Sequence, residues 1–325
     1  MAVTIRDVAS AAGVSIATVS RALATPGQVA EATRERVQEA VRVLGYRPNP
    51  AARGLITGRT GNIGLVVPDI ENPYFGSICK GVQSRVRAAG YAVFIADTDE
   101  DAVLETEVVG SLAKQVDGII LCSARGTDAA LLDQAVPLVL VDRVVDGVPS
   151  VNCDNIGGVQ AAMAHLSALG HRSVAYAGGP ATSWSNRVRV AAMRAFSAGA
   201  PALDLIELGN FPPSYQGGLQ AGDLAIASGA TAVVAFNDLV AVGVVERLRQ
   251  RGLTVPADMS VVGFDNVPVS TMVWPNLTTV DSPRVQMGRA SVDMLLDLVL
   301  NRAGTVAPDI GAELIVRQST GVAPG

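Results

Sequence analysis

Apolar positions along this chain follow two different periods, and the change between them divides it. Over the first 45 residues they recur every three or four positions. Ile5, Val8, Ala9 and Ala12 share one helical face, Val19, Ala22 and Leu23 a second, and Val37, Ala40, Val41 and Leu44 a third. The punctuation agrees. Thr4 with Asp7 three residues on makes a capping-box start, Gly13 permits a backbone reversal, Ser15 caps the next helix, and Gly45 ends a helix that opens near Glu31. Three short helices around one small core make a helix-turn-helix unit, whose second helix can lie in the DNA major groove.

From Asn62 onward the apolar residues gather in short continuous runs instead. NIGLVV, YAVFIA, VDGIIL and LVLV come first, then SVAYAG, LDLIEL, TAVVAF and MSVVGF. Segments of helical length and pattern lie between them, at 73–89, 154–169, 187–197 and 238–251. This alternation predicts parallel sheets covered by helices, and two groups of about four strands predict two similar lobes. Ligands in such folds sit at the carboxyl ends of the strands. Asp69, Asp97-Thr98-Asp99, Asp142-Arg143, Asn237-Asp238 and Asp265-Asn266 stand there. Carboxylates, amides and arginine converging from two lobes, with aromatics nearby, suit a small polyhydroxylated ligand. Each of these residues taken singly is equally a helix cap or turn former.

A chain of 325 residues is longer than one ordinary domain, so two or three domains are expected. No apolar run approaches the roughly 20 residues that span a bilayer, and no apolar signal segment opens the chain, which points to a cytoplasmic protein. Cys79, Cys122 and Cys153 fit neither a metal spacing nor a disulfide framework and read as buried thiols. Charge changes the picture more. Residues 1–60 hold eight Arg against Asp7, Glu31, Glu35 and Glu39, a net +4, so the net −5 of the whole chain leaves −9 on the remainder. A small basic head on an acidic body fits a head that meets a polyanion.

TIRDVASAAGVSIATVSRAL, followed by TRERVQEAVRVLGYRPNPAARGL, resembles the DNA-binding head of the lactose-repressor (LacI) family of bacterial regulators. The likeness extends over nearly the whole chain. Ala30 departs from it, where the family often has a Ser or Thr cap; the loss is about 1 kcal/mol on capping scales. The resemblance implies DNA contacts from Thr4, Ser15, Ile16, Ala17, Thr18, Ser20 and Arg21. Arg21 offers a bidentate fork to guanine, and Thr18 and Ser20 suit phosphate or base contacts. Ile16 and Ala17 touch only thymine methyl groups, or Ile16 packs into the head's own core. The segment from Pro48 to Leu55 is implied to be a hinge that folds on DNA, with Asn49, Ala52 and Arg53 at the duplex and Leu55 wedged into the minor groove. The alternative is an ordinary linker. GLITGRT lacks the Lys and the spacing of a phosphate loop.

For the body, the resemblance implies that ENPYFGSICKGV brings Pro73, Tyr74 and Phe75 to a cleft, and that PLVLVDR brings Asp142 and Arg143. VNCDNIGG matches at Asp154 and Asn155. NRVRVAAM supplies an arginine that holds ligand hydroxyls, assigned to Arg187. AFNDLVAVG contributes Asn237 and Asp238, and VGFDNVPVS contributes Asp265. The candidate effector contacts are thus Asp69, Tyr74, Phe75, Asp97, Asp142, Arg143, Trp184, Arg187, Asn237 and Asp265. Trp184, Phe211, Tyr215 and Trp274 are candidate ring-stackers, and Ala191, Ala192 and Met193 depart from the family's usual Gly and aromatic. His165 and His171 match structural positions, without a nucleophile or third ligand beside them, so no metal, cofactor or catalytic role is expected.

The implied architecture is an all-α helix-turn-helix head with an α/β two-lobed body like a periplasmic binding protein, its sheets parallel and helices on both faces. The expected domains are the head at 1–47, the hinge at 48–60 and the body at 61–325. The first lobe takes about 61–157 with 282–305, and the second about 158–281 with 306–325. The implied function is a homodimeric repressor on pseudo-palindromic operator DNA, controlled by a small effector, a sugar or sugar derivative, with a nucleobase or nucleoside as the alternative. Its dimer face is expected around 74–86 and on the last helices of the second lobe. No charged, Leu-rich heptad tail follows VRQSTGVAPG, so a tail-mediated tetramer is not expected. A transporter's solute-binding protein would carry a signal peptide in place of residues 1–60. An enzyme would need a catalytic constellation or a phosphate loop after the first strand, and LVVPDIENPYF supplies neither.

Overall fold

A computed structural model describes residues 3–24, 26–46, 59–200, 203–302 and 310–324. The chain divides into two compact units, Met1–Gly61 and Asn62–Gly325.

The first unit holds α1 (Ile5–Ala12), α2 (Ile16–Ala24) and α3 (Glu31–Leu44), with a single 3₁₀ turn at Pro26–Gln28. The Asp7 carboxylate accepts from both the backbone N–H and the hydroxyl of Thr4, each at 2.8 Å, which closes the start of α1. Gly13 and Gly45 both take φ +63°, the left-handed conformation that reverses the chain after α1 and α3. Val8, Ala9, Ala12, Val19, Ala22, Val37 and Ala40 form the small core. Ala30 precedes α3 with no side-chain cap, as its methyl group dictates.

The second unit carries two sheets. The first contains β1 (Asn62–Val67), β2 (Ala92–Asp97), β3 (Ile119–Cys122), β4 (Leu138–Val141) and β5 (Ser150–Val151), in the order β2-β1-β3-β4-β5 and parallel throughout. Helices α4 (Pro73–Ala88), α5 (Ala102–Leu112) and α6 (Asp128–Leu132) alternate with these strands. The second sheet contains β6 (Ser173–Gly178), β7 (Asp204–Asn210), β8 (Ala232–Ala235), β9 (Ser260–Asp265), β10 (Thr278–Asp281) and β11 (Glu313–Ile315), in the order β11-β10-β9-β8-β6-β7. Only β11 runs antiparallel. Its helices are α7 (Asn155–Ala168), α8 (Trp184–Gly199), α9 (Tyr215–Ser228) and α10 (Asp238–Gln250). A last helix, α11 (Arg284–Val299), returns to the first sheet and packs against α4.

The unbroken apolar runs follow from burial on both faces. Ile63, Leu65 and Val67 point to the core beneath α4 and α11, whereas Val66 joins Ile119, Leu121 and Leu140 in the core beneath α5. The second sheet repeats this, with Val233 and Ala235 toward α9 and α10 and Val234 toward α7 and α8. Each lobe also holds one very close helix pair. An added Cβ on Gly288 of α11 would stand 2.4 Å from the Ile78 carbonyl of α4, and one on Gly218 of α9 would stand 2.2 Å from the Val240 carbonyl of α10.

All eight strands expected from the apolar runs are present. Three further strands, β5, β10 and β11, lack that signal. β10 is the instructive case: Thr278 and Thr279 are fully buried because partners wait for their hydroxyls, Thr320 for Thr278 and Asp238 for Thr279.

Candidate functional site

In the first unit, Ser15 caps α2, its hydroxyl accepting from the Thr18 N–H at 3.1 Å and pairing with the Thr18 hydroxyl at 2.9 Å. Val19, one position further on, is in the core. This rotation leaves Ser15, Ile16, Ala17 and Arg21 exposed and Thr18 and Ser20 half-buried. Ile16 is 44% exposed, so it does not pack into the head core. Thr4 is also exposed, and its hydroxyl is engaged by Asp7. Asn49, Ala52, Arg53 and Leu55 lie outside the described residues.

In the second unit, a narrow cleft is bounded by residues that follow the carboxyl ends of strands in both sheets. The first sheet contributes Asn72, Tyr74 and Phe75 after β1, Glu100 after β2, Ser123 and Arg125 after β3, and Asp142 after β4. Ser183, Ser185 and Arg189 follow β6, Pro213 follows β7, Phe236 and Asn237 follow β8, and Asp265 ends β9. Asn72 caps α4 by accepting from the Tyr74 N–H at 3.0 Å. The ring of Phe75 meets that of Tyr74 edge-on, with centroids 5.2 Å apart.

Two guanidinium groups dominate the polar wall. Arg125 donates through Nε to Glu100 at 2.6 Å and through Nη1 to the Ser123 carbonyl at 2.8 Å. Arg189 donates through Nε to Asn155 at 2.8 Å and through Nη1 to the Phe236 carbonyl at 2.5 Å. Its Nη2 lies 3.9 Å from Asp265, and its guanidinium carbon lies over the rings of Phe264 and Phe236 at 3.4 and 5.1 Å from their centroids. Tyr74 donates its hydroxyl to Asp142 Oδ2 at 2.5 Å, while Asp142 Oδ1 is buried without a partner. Burial pushes the carboxyl of Asp142 above its ordinary range and that of Asp265 up to about 6, against the pull of nearby arginines. Behind the cleft, Asp238 accepts from Thr279 at 2.6 Å and from the Val267 N–H at 2.7 Å, and burial raises it to about 8. The arrangement presents buried acceptors and oriented donors beside aromatic faces. Such a wall binds hydroxyl groups well.

Comparison with known proteins fits this picture. The model for bacterial regulatory proteins of the lacI family matches residues 4–49, and that for the periplasmic binding protein-like domain matches residues 163–320. The HTH-type transcriptional regulator DegA of Bacillus subtilis is 35% identical over 299 residues, 89% of either chain. The chain belongs to the LacI family. Among solved structures, the lac repressor dimer bound to operator and the anti-inducer ONPF superposes with a TM-score of 0.85 at 28% identity, covering 99% of this chain and 100% of that one. A LacI family transcriptional regulator from Enterococcus faecium with bound ribose gives 0.71 at 28% identity, over 80% of this chain and 99% of that one. The chain is thus a DNA-binding transcriptional regulator with a ligand-binding body.

Within this LacI-family body, Tyr74, Phe75, Asp142, Asn237 and Asp265 meet at the cleft. Five other expected contacts stand outside its lining. Arg189 occupies the place expected for Arg187. It follows Ser185 by four residues and shares its face of α8, whereas Arg187 is exposed and bonded to the Thr182 carbonyl at 3.0 Å. Arg143 turns toward Asp128 at 2.6 Å. Asp69 accepts from the Glu71 N–H, and Asp97 from those of Ile70 and Asp99, so both act as turn formers. Trp184 begins α8 half-buried.

The other expected ring-stackers are also elsewhere. Phe211 is in the second-lobe core, and Tyr215 and Trp274 are 38% and 81% exposed. Ala192 and Met193 belong to the core beneath α8, and the aromatic wall on this side is Phe236. Sequence reasoning missed Asn72, Glu100, Ser123, Arg125, Ser183, Ser185, Arg189, Pro213 and Phe236. The strand-end rule that selected Asp142 applies equally to Ser123 and Arg125, which follow VDGIIL directly.

His165 and His171 tie down the terminal segment. His165 pairs with Thr320 at 2.9 Å, and His171 meets Thr231, Ser260 and the Gly321 carbonyl at 2.8, 3.0 and 3.1 Å. Among the described residues, no group of His, Cys, Asp or Glu could hold a metal ion.

Proposed function

We propose that this LacI-family protein binds a pseudo-palindromic operator as a homodimer, and that a sugar or sugar derivative held in the cleft sets its operator affinity. The observation that carries the sugar reading is Asp142 Oδ1. It is an acceptor, buried in the cleft wall and unpartnered, so it calls for a ligand that donates. Arg189 and Asn237 stand across from it, with Phe75 and Phe236 as apolar faces for a ring. The ribose bound in the Enterococcus faecium regulator agrees.

Dimerisation draws support from the lac repressor dimer and from the edge strand β2, which leaves Phe94 and Ile95 exposed on an otherwise covered sheet. By contrast, Tyr74, Phe75, Ile78, Val82 and Val86 of α4 are buried in the first lobe. Closure of the lobes on ligand would reach DNA through the expected hinge at 48–60, as a coupling free energy acting equally in both directions. Phe75 and Phe236, one from each lobe, favour a second reading in which a nucleobase is held between them.

A thermal-shift screen of free sugars, sugar phosphates and nucleosides tests this. Bound ligand raises Tm according to its concentration over Kd. Stabilisation by sugars is expected, and stabilisation by nucleosides alone would replace the sugar with a base.

A further inference from the structure

The charges in the cleft restrict the effector further, granted that the cleft is the effector site. We propose that it admits an uncharged effector and rejects phosphorylated ones, and that Glu100 enforces this by occupying Arg125.

Arg125 and Arg189 are the guanidinium groups that line the cleft, and each already has its Nε and Nη1 engaged by protein acceptors. Arg125 has 3% side-chain exposure, and its Nε is held by Glu100 at 2.6 Å and its Nη1 by the Ser123 carbonyl. Arg189 donates to Asn155 and the Phe236 carbonyl, and its Nη2 faces Asp265 at 3.9 Å. The lining carboxylates Glu100, Asp142 and Asp265 outnumber these two cations. Arg143, paired with Asp128, Arg187, bonded to the Thr182 carbonyl, and Arg284, bonded to the Asn266 carbonyl, lie outside the lining. Among the lining atoms described, the buried one without a partner is Asp142 Oδ1, an acceptor. A phosphate ester presents acceptors and a charge of about −2. It would face a like-charged, desolvated wall. A neutral hydroxyl donates to Asp142 instead.

Glu100 is set firmly in this role. Its backbone is left-handed, φ +59°, and its N–H donates to the Pro68 carbonyl at 2.8 Å, which fixes the turn after β2.

The experiment titrates full-length protein calorimetrically with matched pairs: ribose and ribose 5-phosphate, glucose and glucose 6-phosphate, uridine and uridine 5′-monophosphate. In wild type, the neutral member of the binding pair should be at least about ten-fold tighter than its ester. Glu100→Gln, which releases Arg125, should gain at least about ten-fold in affinity for the ester, and the gain should shrink in high salt. Glu100→Ala serves as a second variant, with melting curves to verify folding. An ester that binds wild type as tightly as its neutral partner overturns the exclusion. No gain in either variant overturns the role of Glu100. If only the uridine pair binds, the sugar reading fails while the exclusion is still judged on that pair. Binding of no compound overturns the effector assignment of the cleft and this inference with it.

Discussion

The guanidinium carbon of Arg189 lies 3.4 Å from the centroid of the Phe264 ring and 5.1 Å from that of Phe236. Phe264 immediately precedes Asp265, so one strand end supplies both the aromatic face that orients this cation and the carboxylate beside it. Stacking fixes the guanidinium plane, and the bonds to Asn155 and the Phe236 carbonyl fix its rotation. The Arg189 guanidinium is thus already oriented, so a ligand contact there would cost little side-chain entropy.

Arg189→Ala should therefore weaken effector binding about 10- to 100-fold, the range for a hydrogen bond from a charged donor. Arg187→Ala, an exposed position outside the cleft lining, should change it by no more than about two-fold. Titration of both variants with the most stabilising sugar checks this. The opposite ranking would return the ligand contact to Arg187.

Arg21 is exposed on the same side of α2 as Ser15, Ile16 and Ala17. Arg21→Ala should remove operator preference, a loss of about 1–3 kcal/mol for one bidentate base contact, and leave effector binding intact. Gel shifts with specific and scrambled duplexes would show it; retained preference would place the readout elsewhere.

His171 is buried among Thr231, Ser260 and Gly321, and this burial lowers its pKa below the ordinary histidine value. The folded state thus binds its proton less readily than the unfolded chain. Its contribution to stability is complete above about pH 6.5 and is lost as pH falls through the lowered folded value. Melting curves between pH 7.5 and 5 should show this decline, and His171→Asn should flatten it. An equal slope in the variant would assign the acid sensitivity to other groups.

Gly288 lets α11 approach α4 so closely that any Cβ collides with the Ile78 carbonyl. Backbone cannot yield as a flexible side chain does, so Gly288→Ala should cost about 1–3 kcal/mol. Denaturant melts of the variant and wild type give the comparison. Gly76, on the open face of α4 with nothing within 4 Å of its added Cβ, should accept Ala without such a penalty.

Local features of the chain were enough for much of this. The three-residue and four-residue spacing of the head, its Gly13 and Gly45 reversals, and the eight apolar strands all depend on neighbours close in sequence. So does the orientation of α2, because Ser15 and Val19 alone set which of its faces is buried. The two-lobed fold follows from the alternation of strands and helices, and the strand ends identify Asp142, Asn237 and Asp265. β10 was less legible, because TTVD reads as polar until Asp238 and Thr320, distant in sequence, are placed beside it.

The membership of the cleft was decided only by tertiary structure. Arg187 and Arg189 are two residues apart and chemically identical, and the rotation of α8 against β6 separates them. Asp69 and Asp97 stand at strand ends as Asp142 does, yet nearby backbone N–H groups claim their oxygens, while one oxygen of Asp142 is left without a partner. Glu100 and Arg125 come from separate loops and acquire a role by meeting at 2.6 Å. Secondary structure and burial pattern are short-range properties, which the order of residues carries directly. Which polar groups remain available to a ligand depends on partners folded in from elsewhere in the chain.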